Sequence, residues 1–191
     1  MSQRVCPWWV GYILLVPFRK LRHDPEKILG PYVNPGMKVL EVGPGMGFFT
    51  VPLAQMVGES GQVISVDVQE KMISKLRKRA AKRDLLDRLD MRICSAESLQ
   101  IPDLSGQVDF TLAFAVMHEV PKQENFLHEI YDAMRPAGLL LISEPAGHVS
   151  ESDFVSTEKA AEQQGFVVVQ RPRVKKTLSV LMRKELSNSL Y

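Results

Sequence analysis

The stretch Val39-Leu40-Glu41-Val42-Gly43-Pro44-Gly45-Met46-Gly47 decides how the rest of this sequence reads. With Lys38 in front, its first four residues form a short, mostly apolar strand. Three glycines at alternate positions end that strand, ahead of an apolar, helix-like run from Phe48 to Val57. Glycine lets the backbone take positive φ and approach a ligand without a Cβ in the way. A strand, a glycine bend and a helix are the opening unit of a doubly wound sheet, where ligands bind beyond the strand ends at the switch point.

The same alternation continues along the chain. Strands are expected at Gln62 to Val66, Leu89 to Cys94, Val108 to Val116 and Leu139 to Ser143. Helices are expected at Glu70 to Lys82, Gln123 to Met134 and Glu151 to Gln164, with Ala137-Gly138 turning the chain after the second of these. Val108 to Val116 is nearly all apolar, as suits a strand buried on both faces. Two β-rich runs, Phe166 to Gln170 and Thr177 to Met182, are joined by too short a link for a parallel crossover, so they read as an antiparallel hairpin. The expected fold is α/β and doubly wound: a mostly parallel seven-stranded sheet, helices on both faces, and a terminal antiparallel hairpin.

Two cofactor classes use a glycine bend in this place. Dinucleotides want GxGxxG, with pyrophosphate at the helix N-terminus. Phe48 occupies the position of that third glycine, and the actual spacing is GxGxG preceded by Glu41. This pattern resembles motif I of the class I S-adenosylmethionine-dependent methyltransferases. Ser65-Val66-Asp67 ends the second strand, where a carboxylate can accept hydrogen bonds from both ribose hydroxyls; a plain helix N-cap is the other role open to Asp67. Ser95-Ala96-Glu97-Ser98-Leu99 after strand three, and Leu112 to Pro121 at the exit of strand four, also resemble that family at the corresponding places. The likeness runs from about Gly36 to Arg183, while the preceding arm is similar to that of small microbial methyltransferase-domain proteins of unassigned substrate.

The resemblance implies a Rossmann-like methyltransferase fold that binds S-adenosyl-L-methionine and releases S-adenosyl-L-homocysteine. The residues it points to for the cofactor are Glu41, Gly43, Pro44, Gly45, Gly47, Asp67, Val68, Met72, Ala96, Glu97, Phe114, Ala115 and Val116. His118 lies just past the expected methyl-transfer position, either as a general base or as a residue that shapes the pocket. Trp8, Tyr12, Glu144 and His148 are candidate substrate contacts, with Glu119 a further alternative. Methyl transfer is a displacement at an activated carbon, so positioning and water exclusion matter more than acid–base chemistry. Two readings compete with an enzyme of this kind: a non-catalytic cofactor-binding or membrane-associated interaction protein, and an NAD-dependent oxidoreductase.

The chain has 191 residues, enough for one well-cored domain, and 45% hydrophobic with 24% charged residues argues against disorder. Residues 1–35 read as an apolar, partly helical arm and 36–191 as the methyltransferase domain, with Asn34-Pro35-Gly36 as the border. In the arm, Pro7 to Phe18 (PWWVGYILLVPF) is apolar but shorter than the roughly 20 residues a spanning helix needs. It is expected to pack on the domain as a lid, at a subunit interface, or on a membrane surface. Asp24-Pro25 opens a short helix through Leu29. With a net charge of +2 and no basic stripe alternating with aromatics, no nucleic acid partner is expected. Lys71 to Lys82 is rich in cations, which reads as a solvated helix face or as a patch for an acidic partner. Two distant cysteines make no metal-ligand spacing, so no metal is expected, and a reducing cytoplasm is the default setting. Arsenite methyltransferases resemble the domain too, but depend on several cysteines. The expected partner is a small-molecule substrate, with the protein a monomer or homodimer.

Overall fold

The computed structural model describes residues 23–185; Trp8, Trp9 and Tyr12, and with them the apolar run of the arm, lie outside the described residues. Strands β1 (Lys38–Val42), β2 (Gln62–Asp67), β3 (Leu89–Ile93), β4 (Val108–Phe114), β5 (Met134–Pro145), β6 (Phe166–Gln170) and β7 (Thr177–Lys184) form one sheet, ordered β3-β2-β1-β4-β5-β7-β6. The first five strands run parallel, and β7 enters antiparallel between β5 and β6. The order reverses between β1 and β4, which opens a crevice at their C-terminal ends. The expected architecture, hairpin included, is the observed one.

Helices α1 (Pro25–Leu29), α2 (Thr50–Val57), α3 (Glu70–Ala81), α4 (Gln123–Ala133) and α5 (Glu151–Gln163) cover the two faces. The alternation of side chains along each strand decides which core they join. Val39, Val63, Phe110, Leu112 and Leu141 pack with Leu29, Leu53, Val57 and Ala80, from α1, α2 and α3. Their strand neighbours Leu40, Ile64, Ala113 and Ile142 pack with Phe126, Leu127, Ile130 and Phe154, from α4 and α5. Leu29 and Val33 are buried in the first of these cores, so the segment around α1 packs into the domain. Asp24 caps α1 by accepting the Glu26 amide hydrogen at 3.2 Å.

The element ends differ from expectation where the backbone leaves the allowed regions of ordinary residues. Helix α2 begins at Thr50 rather than Phe48, because Gly47 at φ +82° keeps the chain turning. Strand β4 stops at Phe114, since Ala115 takes φ +56°. Strand β5 starts at Met134, directly after α4, instead of after the expected turn at Ala137-Gly138. Val108 pairs with Met134 and Phe110 with Leu139, so residues 135–138 bulge out opposite Asp109. The Arg135 guanidinium pins that bulge to the Asp109 carboxylate at 2.8 Å.

Candidate functional site

The glycine bend carries β1 into α2 and forms one wall of a cleft at the switch point. Gly45 and Gly47 have different reasons to lack a side chain. Gly45 (φ +55°) lines the cleft, and a Cβ there would meet nothing within 4 Å. A Cβ on Gly47 would stand 2.4 Å from Leu76 Cδ1, so this glycine admits α3 against the bend. Close packing that a dinucleotide loop assigns to its third glycine is thus achieved here one position earlier.

Two carboxylates fix the shape of the bend. Glu41 is buried at the end of β1, and its Oε2 accepts from the Thr50 hydroxyl at 2.5 Å and the Ser65 hydroxyl at 3.1 Å. It therefore ties β1 to the first turn of α2 and to β2. Asp67, only 7% exposed at the end of β2, accepts from the Gln69 amide at 2.8 Å and from the Gly45 amide at 3.2 Å. Burial pushes its carboxyl up to about 6, against the lowering effect of those two amide hydrogen bonds, and the charge of Glu119 raises it further.

The opposite wall is the exit of β4. Ala115 turns the chain, and Met117–Glu119 forms a single 3-10 turn. Glu144, 1% exposed near the end of β5, holds this turn in place. Its Oε1 accepts from the Val116 amide at 3.2 Å and the Met117 amide at 2.7 Å, and its Oε2 contacts His118 Nδ1 at 2.5 Å. The hydrogen bond to Glu144 raises the imidazole above its ordinary value, although partial burial opposes it. His118 Nε2 lies 3.8 Å from a carboxylate oxygen of Glu119.

The cleft so formed has about 1190 Å³ of empty space, its mouth included. Of the candidate cofactor residues, Glu41, Gly43, Pro44, Gly45, Asp67, Val68, Met72, Ala96, Phe114, Ala115 and Val116 line it. Gly47 and Glu97 do not; the Glu97 carboxylate is exposed and pairs with Lys122 at 3.6 Å. His118 stands behind Glu119, which does line the cleft. His148 is exposed on the turn after β5, and Glu144 is committed to the backbone of the opposite wall. Sequence reasoning missed Phe49, Gln69, Pro121 and Phe126 as lining residues. Phe126 sits at a helical spacing that reads as core, and it is also core. The Phe49 ring packs on Phe114 at 4.5 Å and on Phe48 at 5.0 Å, which makes an aromatic wall.

This lining fits a cationic nucleoside better than a pyrophosphate. Glu41, Asp67 and Glu119 face the cleft, and no lysine, arginine or histidine among the described residues lines it. The Gly45 amide, which a phosphate-binding loop would offer to its ligand, already donates to Asp67. Among the described residues no group of three or more His, Cys, Asp or Glu could hold a metal ion.

Comparison with known proteins agrees with this geometry. A family model described as a methyltransferase domain matches residues 33–187. A ubiquinone/menaquinone biosynthesis C-methyltransferase of Hydrogenovibrio crunogenus is 31% identical over 112 residues, covering 59% of this chain and 43% of that protein. An arsenite methyltransferase of Halobacterium salinarum is 34% identical over 110 residues, covering 58% of this chain and 27% of that one. The chain thus spans less than half the length of these two curated relatives. The crystal structure of a SAM-dependent methyltransferase from Aquifex aeolicus superposes with a TM-score of 0.83 at 27% identity, covering 94% of this chain and all of that one.

Proposed function

The chain belongs to the methyltransferase-domain family, and from that premise we propose that it methylates a small, uncharged, lipophilic acceptor using S-adenosylmethionine. The observation that carries this reading is the cleft itself: an acidic lining, with no cation among the described residues, around a bend whose Gly45 amide is already committed. S-adenosylmethionine supplies a methyl group on a sulfonium, activated before it meets the protein, and leaves as S-adenosylhomocysteine. The chain's own residues then have three tasks. Asp67, ionised, accepts the ribose hydroxyls, while Gly43, Pro44 and Gly45 leave room for the backbone to approach the ligand. Met72, Val68 and Ala96 offer apolar contact to the base, with Glu97 at the rim. Phe114, Ala115 and Val116 border the reacting carbon and exclude water from it.

A neutral acceptor loses a proton when it gains a methyl group. Glu119 is the cleft-facing group that can take it, and His118 beside it leads toward solvent. Glu144 acts through His118 as a positioning residue. The lipophilic acceptor is supported by Phe48, Phe49, Phe114, Val120 and Phe126 in the lining. Trp8 and Tyr12 of the arm are proposed to complete that pocket, and the arm to touch a membrane surface. Among the described residues no helix is long and apolar enough to cross a membrane. We place the protein in the cytoplasm, as a monomer or homodimer. Arsenite is the weaker choice of acceptor, because the chain has two cysteines and, among the described residues, Cys94 alone brings a thiol to the cleft. The test is transfer of labelled methyl from S-adenosylmethionine to uncharged naphthols and naphthoquinols against their carboxylated counterparts. Transfer to the uncharged set is expected; exclusive transfer to the carboxylated set would refute the acceptor class.

A further inference from the structure

We propose that the outward crest of α3, with the exposed apolar side chains around it, docks this protein on an anionic lipid bilayer. Lys71, Lys75, Lys78 and Lys82 follow one another at steps of four, three and four residues. At about 100° per residue they fall within roughly 40° of one line along the helix. That line lies opposite the buried Met72, Ile73, Leu76 and Ala80, and all four lysines are exposed. Arg77, Arg79 and Arg83 flank the crest, so residues 71–83 carry seven cations and no acid. The rest of the chain then has seventeen cations against twenty-two acids, a net charge of −5, although the whole is +2. The positive charge is segregated onto α3 and the two residues that follow it. Lysines at these spacings repel one another and work against the helix that displays them.

Exposed apolar side chains also border this helix. Among the described residues the exposed large apolar side chains are Val68, Leu86, Ile93, Val155 and Val169. Three of these five surround α3. Val68 (38% exposed) sits two residues before it, Leu86 (42%) in the 3-10 turn that follows it, and Ile93 (51%) on the neighbouring edge strand β3. Ile93 alternates with Leu89 and Met91, which pack in the same cluster as Ala80 of α3, so it points to that face of the sheet. Cations with interspersed aliphatic side chains match a headgroup layer above acyl chains. A single-stranded nucleic acid would want aromatic platforms for its bases, and no phenylalanine or tyrosine among the described residues is exposed.

The docked face opens onto the cleft, because Val68 belongs to both. The chain enters the described structure at His23, whose ring packs on Phe114 in the cleft wall at 5.3 Å, so the apolar stretch Pro7 to Phe18 precedes the same site closely in sequence. A lipophilic acceptor would reach the cleft directly from a bilayer, but the docking surface stands without any methyl transfer.

The test is flotation of the full chain with vesicles of phosphatidylcholine alone or doped with phosphatidylglycerol. The wild type is expected to float only with the doped vesicles and to be released by high salt. The triple variant Lys75→Gln/Lys78→Gln/Lys82→Gln should bind them about 100-fold more weakly, at roughly fivefold per lysine. The Lys→Arg triple at the same positions should bind as the wild type does, which guards against a folding artefact. Leu86→Ser should weaken binding with charge unchanged. Equal flotation of the Gln triple and the wild type would overturn the proposal, as would equal flotation with uncharged vesicles. So would capture of poly-uridylate by a protein that ignores the vesicles.

Discussion

Alanine at Gly45 and alanine at Gly47 should separate the ligand from the fold. Both positions have positive φ, +55° and +82°, so each alanine incurs the left-handed penalty of about 1–2 kcal/mol. At Gly45 nothing else stands in the way, because the new methyl enters open space within 4 Å in every direction. At Gly47 the methyl would sit 2.4 Å from Leu76 Cδ1, and Leu76 is fully buried. Overpacking of that kind adds about 1–3 kcal/mol, for a total of roughly 2–5 kcal/mol against a stability on the order of 5–15 kcal/mol. The ligand should respond in the reverse order. The Gly45 methyl occupies space in the cleft where the cofactor is proposed to lie against the bend. A misplaced methyl in a fitted pocket is worth about 1–3 kcal/mol, or ~10–200-fold in affinity. Urea unfolding measures the first quantity, and calorimetric titration with S-adenosylhomocysteine the second. The reasoning fails if Gly45→Ala binds as tightly as wild type, or if Gly47→Ala is no less stable than Gly45→Ala.

Two further outcomes follow from the titratable groups. Asp67 is raised to about 6 by burial, so it is mostly protonated at pH 5 and mostly ionised at pH 7. If only the carboxylate accepts both ribose hydroxyls, cofactor affinity should fall about tenfold from pH 7 to pH 5, and Asp67→Asn should abolish that dependence. For the apo protein the sign is opposite to that of an ion-paired acid: the folded state favours the protonated form, so Asp67 costs stability as pH rises from about 4 to about 6. Asp67→Asn should flatten that part of the pH–stability curve in denaturant unfolding. Glu144 holds the His118 imidazole above its ordinary value of 6.5. That interaction is fully present below pH 6.5 and is lost as pH rises through the folded value. In Glu144→Gln the His118 resonance should titrate at lower pH by NMR, and the alkaline decline in stability should shrink; an unmoved midpoint would contradict the assigned contact.

The central strands were legible because each carries a short apolar run whose neighbours on the sheet are apolar too. The bend was legible because three alternate glycines after such a run have few other uses. Element ends were less so. Ala115 and Ala137 adopt positive φ without a glycine to announce it, and they displace the end of β4 and the start of β5. Glu144 was visible only as an acid after a strand. Its work on Val116, Met117 and His118 depends on β4 and β5 lying side by side in one register, which brings together residues 26 to 28 positions apart. The partner of Glu97 was likewise hidden in the sequence: Lys122, from the segment ahead of α4, pairs with its exposed carboxylate across 25 positions. By helical phase the α3 lysines suit a solvated face and a docking patch equally. The exposure of Ile93 on the adjacent strand depends on the sheet order β3-β2-β1.

One titration tests most directly whether the acidic cleft holds a sulfonium nucleoside. Purified full-length protein is titrated in a calorimeter with S-adenosylmethionine and, in a parallel cell, with NAD. Saturable heat at one site per chain with the former, none with the latter, and loss of that heat in Asp67→Ala is the expected result. Saturable heat with NAD and silence with S-adenosylmethionine would contradict the assignment of this cleft.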